Sequence, residues 1–223
     1  MKELEKNIDY NFTDKDLLKR ALIHRSFVKD INLSNEKLEL LGDAVIGLAT
    51  VEYLFKNYPS FAEGNLSKIK AASVCTEALS KIAHNLKLYK YLRVGKGEIK
   101  ENIALNPSVL EDTFEALIGA IYLDGGWRKS KRVALKFLRK RIIEVVEEDI
   151  SADYKTVLQE ITQKKFSTLP CYKLEREEGE KHKKTFYIGV YINEKLYGRG
   201  KAKTKKEAEK KAAEEALRRL KNV

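Results

Sequence analysis

The chain has 223 residues, 43% of them apolar, enough for one large or two modest domains with real cores. Its formal charge of +11 points to a polyanionic partner, while two distant cysteines and three isolated histidines argue against a disulfide framework and a zinc site. Apolar runs such as LIGAIYL at 117–123 are too short to span a bilayer, and the mixed-charge start MKELEKNIDYNF lacks the pattern of a signal peptide, so a reduced, cytoplasmic protein is expected.

In chain order, apolar residues recur at steps of three and four over 15–30, 35–57, 65–86, 107–126 and 129–148, which predicts five helices. Pro59, Gly64, Gly95, Gly97, Gly125 and Gly126 punctuate them. The period then changes. A helix over 154–165 is followed by three alternating stretches, CYKLERE, KTFYIGVYI and KLYGRGKA, and by an alanine-rich helix over 205–220. The expected architecture is an all-α domain over 1–149 and an α+β domain of order α-β-β-β-α over 150–223. The polar stretch EEDISADY at 147–154 marks the border. Residues 1–150 carry 25 cations and 22 acids, and residues 151–223 carry 19 and 11, so the second region holds most of the excess charge.

The stretch NEKLELLGDAV at 35–45 sets three carboxylates into an apolar helix. At about 100° per residue, with Glu36 at zero, Glu39 falls at about 300° and Asp43 at about 340°. Leu38, Leu41, Val45 and Leu48 fall on the other side as the expected buried stripe. In LEDTFEALIGAIYLD, Asp112 and Glu115 likewise share a face, in front of Leu110, Phe114, Leu117 and Ile121. Ala116 and Gly119 are small enough to admit another backbone there. If the two helices pack side by side, Glu39, Asp43, Asp112 and Glu115 converge, and mutual repulsion calls for a cation such as Mg²⁺. A single acidic stripe is more often a solvated face. Periodicity alone does not show that the helices meet.

These residues carry a family resemblance. NEKLELLGDAV closely resembles the signature of the ribonuclease III family of double-stranded-RNA endonucleases. FTDKDLLKRALIHRSF, EGNLSKIKA and LEDTFEALIGAIYLDGG resemble its further nuclease motifs. DYKTVLQEITQ and the residues after it resemble its appended double-stranded-RNA-binding domain. The resemblance covers nearly the whole chain in motif order. It implies Glu39, Asp43, Asp112 and Glu115 as metal ligands, with Asp43 and Glu115 catalytic. Glu36 and Glu63 are implied as accessory acids. The implied cofactor is Mg²⁺, with Mn²⁺ as a substitute. The implied reaction is attack of an activated water on phosphorus, giving 5′-phosphate and 3′-hydroxyl ends. A homodimer that leaves short 3′ overhangs is implied too, with the apolar part of the signature helix as its seam. Processing of precursor ribosomal RNA and other structured transcripts is typical of the family. The chain departs from the family pattern at Asn65, at Glu111 and over 98–107, which lacks a Gly/Arg-rich stretch.

In the second region, Thr156, Gln159 and Gln163 share a helix face with Glu160 beside them, a set suited to the 2′-hydroxyls of an RNA minor groove. The resemblance adds His182 in the loop GEKHKKTF, where Glu180 stands in place of the usual proline. Thr204 and Glu207 form a capping box, and Lys203, Lys205 and Lys206 cluster at that helix start to meet phosphates. Lys210 and Lys211 read as solvated, and His24 and His84 as packed or capping residues. Two other readings stand beside the nuclease: a non-catalytic duplex-RNA binder, and a basic membrane-surface protein, which the lack of a strong aromatic face opposite the lysines disfavours.

Overall fold

The computed structural model describes residues 1–100, 102–179 and 184–221. It divides into two compact units, Met1–Val145 and Val146–Val223. The helices of the chain are α1 (Lys2–Ile8), α2 (Lys15–Ala21), α3 (Glu36–Asn57), α4 (Glu63–Ser73), α5 (Thr76–Asn85), α6 (Lys96–Lys100), α7 (Pro107–Phe166) and α8 (Lys205–Lys221). The strands are β1 (Cys171–Glu178), β2 (Thr185–Ile192) and β3 (Lys195–Ala202). No described helix is long and apolar enough to cross a membrane.

The first unit is helical, as expected, but two predicted helices are cut. The 15–30 helix ends at Ala21, because the next backbone groups pair elsewhere: Arg93 N–H donates to the Leu22 carbonyl at 2.9 Å, and His24 N–H to the Arg93 carbonyl at 3.0 Å. One 3₁₀ turn, Arg25–Phe27, comes next, with His24 Nδ1 as its capping acceptor. The 65–86 helix is two helices. Buried Ser73 turns its hydroxyl back onto the Ile69 carbonyl, and Cys75 is extended (φ −74°, ψ 161°) as the cap of α5. Conversely, the polar stretch 147–154 has helical backbone within α7. That long helix is interrupted at Gly126, whose φ of 75° and ψ of −176° suit a residue without a Cβ.

The core of the first unit gathers Leu4, Leu18, Ile46, Leu54, Ile69, Leu79, Phe114, Leu117 and Ile118, each almost fully buried. Burial stabilises each by about 1.5–3 kcal/mol relative to exposure. Asp124, at the end of the third motif, ties down the chain start. It accepts from Tyr10 Oη at 2.6 Å, Asp14 N–H at 2.7 Å and Thr13 N–H at 3.0 Å.

In the second unit the three strands form an antiparallel sheet in the order β1-β2-β3, with a bulge between Leu174 and Arg176. Val190, Ile192, Ala212, Ala213, Ala216, Leu217 and Leu220 build its core against Leu158 of α7. Alanines on α8 and glycines on β3 let helix and sheet touch closely. A Cβ on Gly200 would stand 1.7 Å from the Ala208 carbonyl oxygen. Of the predicted capping box the threonine half is seen, with Glu207 N–H donating to Thr204 Oγ1 at 3.2 Å.

Candidate active site

Two glycines decide where α3 and α7 cross. A Cβ on Gly42 would stand 1.8 Å from the Glu115 carbonyl oxygen, and one on Gly119 would stand 2.1 Å from that of Leu38. The helices therefore meet backbone to backbone. Glu39 sits about one turn before the Gly42 contact, and Asp112 and Glu115 sit one to two turns before the Gly119 contact. Glu39, Asp112 and Glu115 each bring a carboxylate oxygen into a group that fits within 4.8 Å. Asp43 is not in that group. It is exposed on the same helix face, and its charge is the largest acting on Glu115, after burial itself.

Crowding and burial act in one direction here. Glu115 is 9% exposed. Burial first, then the charges of Asp43, Glu111, Asp112 and Glu39, raise its pKa to about 8. Burial and the charges of Asp112, Glu36, Glu111 and Asp43 raise Glu39 to about 7. Asp112 is raised as well, by burial and then by Glu111. Such a cluster favours either protons or a cation, and its all-oxygen donor set fits a hard divalent ion.

The accessory acids lie at the margin. Glu36 pairs with Arg25 at 3.2 Å, and Glu63 accepts from Ser67 Oγ at 2.7 Å within its own helix. Two residues escape sequence reasoning. Glu111, a departure from the family pattern, acts on all three clustered acids. Its position next to Asp112 is the available signal. Lys70 lays its stem along α3, with Nζ 3.7 Å from where a Gly47 Cβ would stand. Gly47 lies one turn beyond Asp43 on the acidic face.

One packing expectation is corrected. Leu38 and Val45 are buried, but Leu41 is only half-buried and Leu48 is 57% exposed. Leu40, Leu48, Val51 and Phe55 together leave an apolar strip of α3 uncovered.

In the second unit, Thr156, Gln159, Glu160 and Gln163 line one groove of about 590 Å³ with Lys164 and Leu169. Lys203, Lys205 and Lys206 are exposed at the start of α8. His182 and Glu180 lie outside the described residues. Lys210 and Lys211 are not simply solvated: their Nζ atoms donate to the Glu147 carbonyl at 3.1 Å and the Lys201 carbonyl at 3.2 Å.

A family profile described as ribonuclease-III-like matches residues 14–144, and a double-stranded RNA binding motif matches residues 154–220. The chain belongs to the ribonuclease III family. Ribonuclease 3 of Treponema denticola is 42% identical over 221 residues, covering 98% of this chain and 90% of that protein. Ribonuclease 3 of a Nitratiruptor species is 41% identical over 221 residues, covering 99% and 97%. Among solved structures, a nuclease domain of the Campylobacter jejuni ribonuclease III aligns with a TM-score of 0.60 at 42% identity, covering 62% of this chain and 96% of that one. This member of the ribonuclease III family is thus an endoribonuclease with a helical nuclease domain followed by a double-stranded-RNA-binding domain.

Proposed function

We propose that the protein hydrolyses phosphodiester bonds of double-stranded RNA with a divalent ion, Mg²⁺ or Mn²⁺, held by Glu39, Asp112 and Glu115 with Asp43 alongside. The observation that carries this reading is the meeting of carboxylates from two helices within 4.8 Å. A cation there offsets the burial and the mutual repulsion that raise Glu39 to about 7 and Glu115 to about 8. Bound there, the ion supplies a Lewis acid that activates water and neutralises charge on the phosphate. Glu115, fixed by the helix crossing and nearly buried, holds the site's geometry. Exposed Asp43 faces the substrate side. Attack in line with the leaving 3′ oxygen gives 5′-phosphate and 3′-hydroxyl ends.

A homodimer is supported by the uncovered strip of Leu40, Leu48, Val51 and Phe55, which a second copy would cover symmetrically. The Campylobacter jejuni nuclease domain is itself described with a region involved in dimer formation. Two centres would cut one strand each and leave short 3′ overhangs. Thr156, Gln159, Glu160 and Gln163 would lie along an RNA minor groove, with Lys203, Lys205 and Lys206 at phosphates and His182 in a further groove contact. The site of action is the cytoplasm, on precursor ribosomal RNA and other structured transcripts.

The test is incubation of labelled duplex RNA with Mg²⁺, with Ca²⁺ and with EDTA, and then analysis of the ends. Cutting with Mg²⁺ alone, to 5′-phosphates, is expected. Retardation without cutting in all three would make the protein a binder only. Cutting in EDTA would remove the metal.

The cluster also carries a pH signature. Both carboxyls have an ordinary value of 4.5 and titrate higher in the fold, so the ion-free native state holds its protons longer than the unfolded chain. Stability of the nuclease unit in EDTA therefore falls as pH rises from about 5 to about 8. Excess Mg²⁺, which binds the deprotonated acids, reverses the trend at the upper end. Thermal melts at several pH values check this. A Tm in EDTA that rises across the window contradicts it.

A further inference from the structure

The charge of the first region is not spread evenly. Between positions 125 and 143 there are eight cations, Arg128, Lys129, Lys131, Arg132, Lys136, Arg139, Lys140 and Arg141, and no acid. Residues 1–127 hold 17 cations and 18 acids, so this segment supplies the positive balance of the nuclease unit. On a helix, Arg128, Lys131, Arg132, Leu135, Lys136 and Arg139 fall within roughly 140° of one another, on one face. With Trp127 and Glu52 they line a groove of about 590 Å³.

Two of the five cations lining the groove are already committed. Lys131 pairs with Glu52 at 2.8 Å, and Arg132 pairs with Asp9 at 2.6 Å. Both pairs anchor the rim to neighbouring elements. Lys136 donates to the Asn7 carbonyl at 3.2 Å, and Arg139 lies 5.6 Å over the Tyr53 ring. Among the described residues, Arg128, Lys136 and Arg139 have no carboxylate partner, and all three are exposed. The groove is separate from the acidic centre: Glu52 is 13 residues beyond Glu39 on α3, about 20 Å along the axis.

We propose that the face of α7 from Arg128 to Arg139 is a phosphate-binding groove for duplex RNA, outside the cutting centre. The inference rests on the reading of the protein as a duplex-RNA nuclease. From Arg128 to Arg139 the stripe runs about 16 Å. It offers fixed positive charge with few polar groups able to read bases, which is the chemistry of sequence-independent backbone contact. The uncovered apolar side chains Leu40 and Phe55 of α3 do not line it, so charge rather than apolar area dominates the groove.

The test uses the full chain carrying Arg128→Ala, Lys136→Ala and Arg139→Ala together, with binding of a long duplex RNA followed by anisotropy in Ca²⁺ over a salt series. Each lost phosphate contact lowers the slope of log affinity against log salt by about one unit. A slope shallower by up to about three units is expected, with roughly tenfold or greater weakening at low salt. The loss of cutting efficiency should appear in KM rather than in kcat. The single Arg128→Ala, at an exposed position, should give about one unit and serves where the triple variant misfolds. An unchanged slope in a folded variant overturns the proposal. So does an unchanged slope with altered oligomeric state, which would give the groove to a protein partner. Absence of duplex binding by the unaltered chain would instead sink the RNA reading itself.

Discussion

Glu115→Gln abolishes cutting of duplex RNA while leaving duplex binding in place. The substitution keeps size and shape at a position that is 9% exposed, so the crossing of α3 and α7 survives. It removes the negative charge from the deepest member of the cluster, and a neutral amide is a poor partner for a hard divalent ion. Loss of a group that merely orients a metal ligand costs about 10–100-fold, so loss of a ligand should exceed roughly 100-fold. Ion-free stability should not fall, because the variant removes a carboxyl whose charged form burial and the neighbouring acids disfavour. Single-turnover cleavage in Mg²⁺ and retardation in Ca²⁺ separate the two effects. Turnover near the unaltered level would remove Glu115 from the chemistry.

Gly42→Ala has the second large effect, through a different cause. A methyl there would meet the Glu115 carbonyl oxygen at 1.8 Å and its carbon at 2.5 Å. Both are backbone atoms of a neighbouring helix and cannot swing aside as a side-chain end would. Alanine gains at most about 1 kcal/mol of helix propensity over glycine. Overpacking costs about 1–3 kcal/mol where side chains can yield, and a backbone clash at 1.8 Å lies at or above the top of that range, so the net destabilisation is about 2 kcal/mol or more. The Tm of the nuclease unit should fall by about 5 °C or more. Cutting should fall further than stability explains, because separating the helices draws Glu39 and Asp43 away from Asp112 and Glu115. Gly64→Ala is the control, since nothing lies within 4 Å of a Cβ there. Equal melting points and equal rates for the two variants would contradict the crossing.

Much of this is legible in the residues, and the rest is hidden for physical reasons. The 35–57 periodicity appears as Glu36–Asn57, and the change to alternation after residue 170 appears as three strands. Local patterns carry that information. Where helices stop short is set by distant backbone: residues 22–24 leave the helix to pair with Arg93, which no local pattern announces. The facing of acids within one helix follows from angle alone, but the meeting of two helices does not. Gly119 hints at close approach in the sequence, whereas Gly42, its counterpart, is inconspicuous inside the signature. Leu48 falls on the expected core stripe because hydrophobicity does not distinguish an interior from an exposed apolar face; its 57% exposure makes the distinction. The run of cations after Trp127 is visible in the sequence, yet helical periodicity alone makes it only one more helix.

The most direct measurement is anomalous scattering from a crystal of the protein soaked in Mn²⁺. A peak is expected about 2.1 Å from a carboxylate oxygen of each of Glu39, Asp112 and Glu115, as suits a small hard cation. A well-ordered crystal with the ion elsewhere, or with these three side chains bound to none, would contradict the shared metal centre.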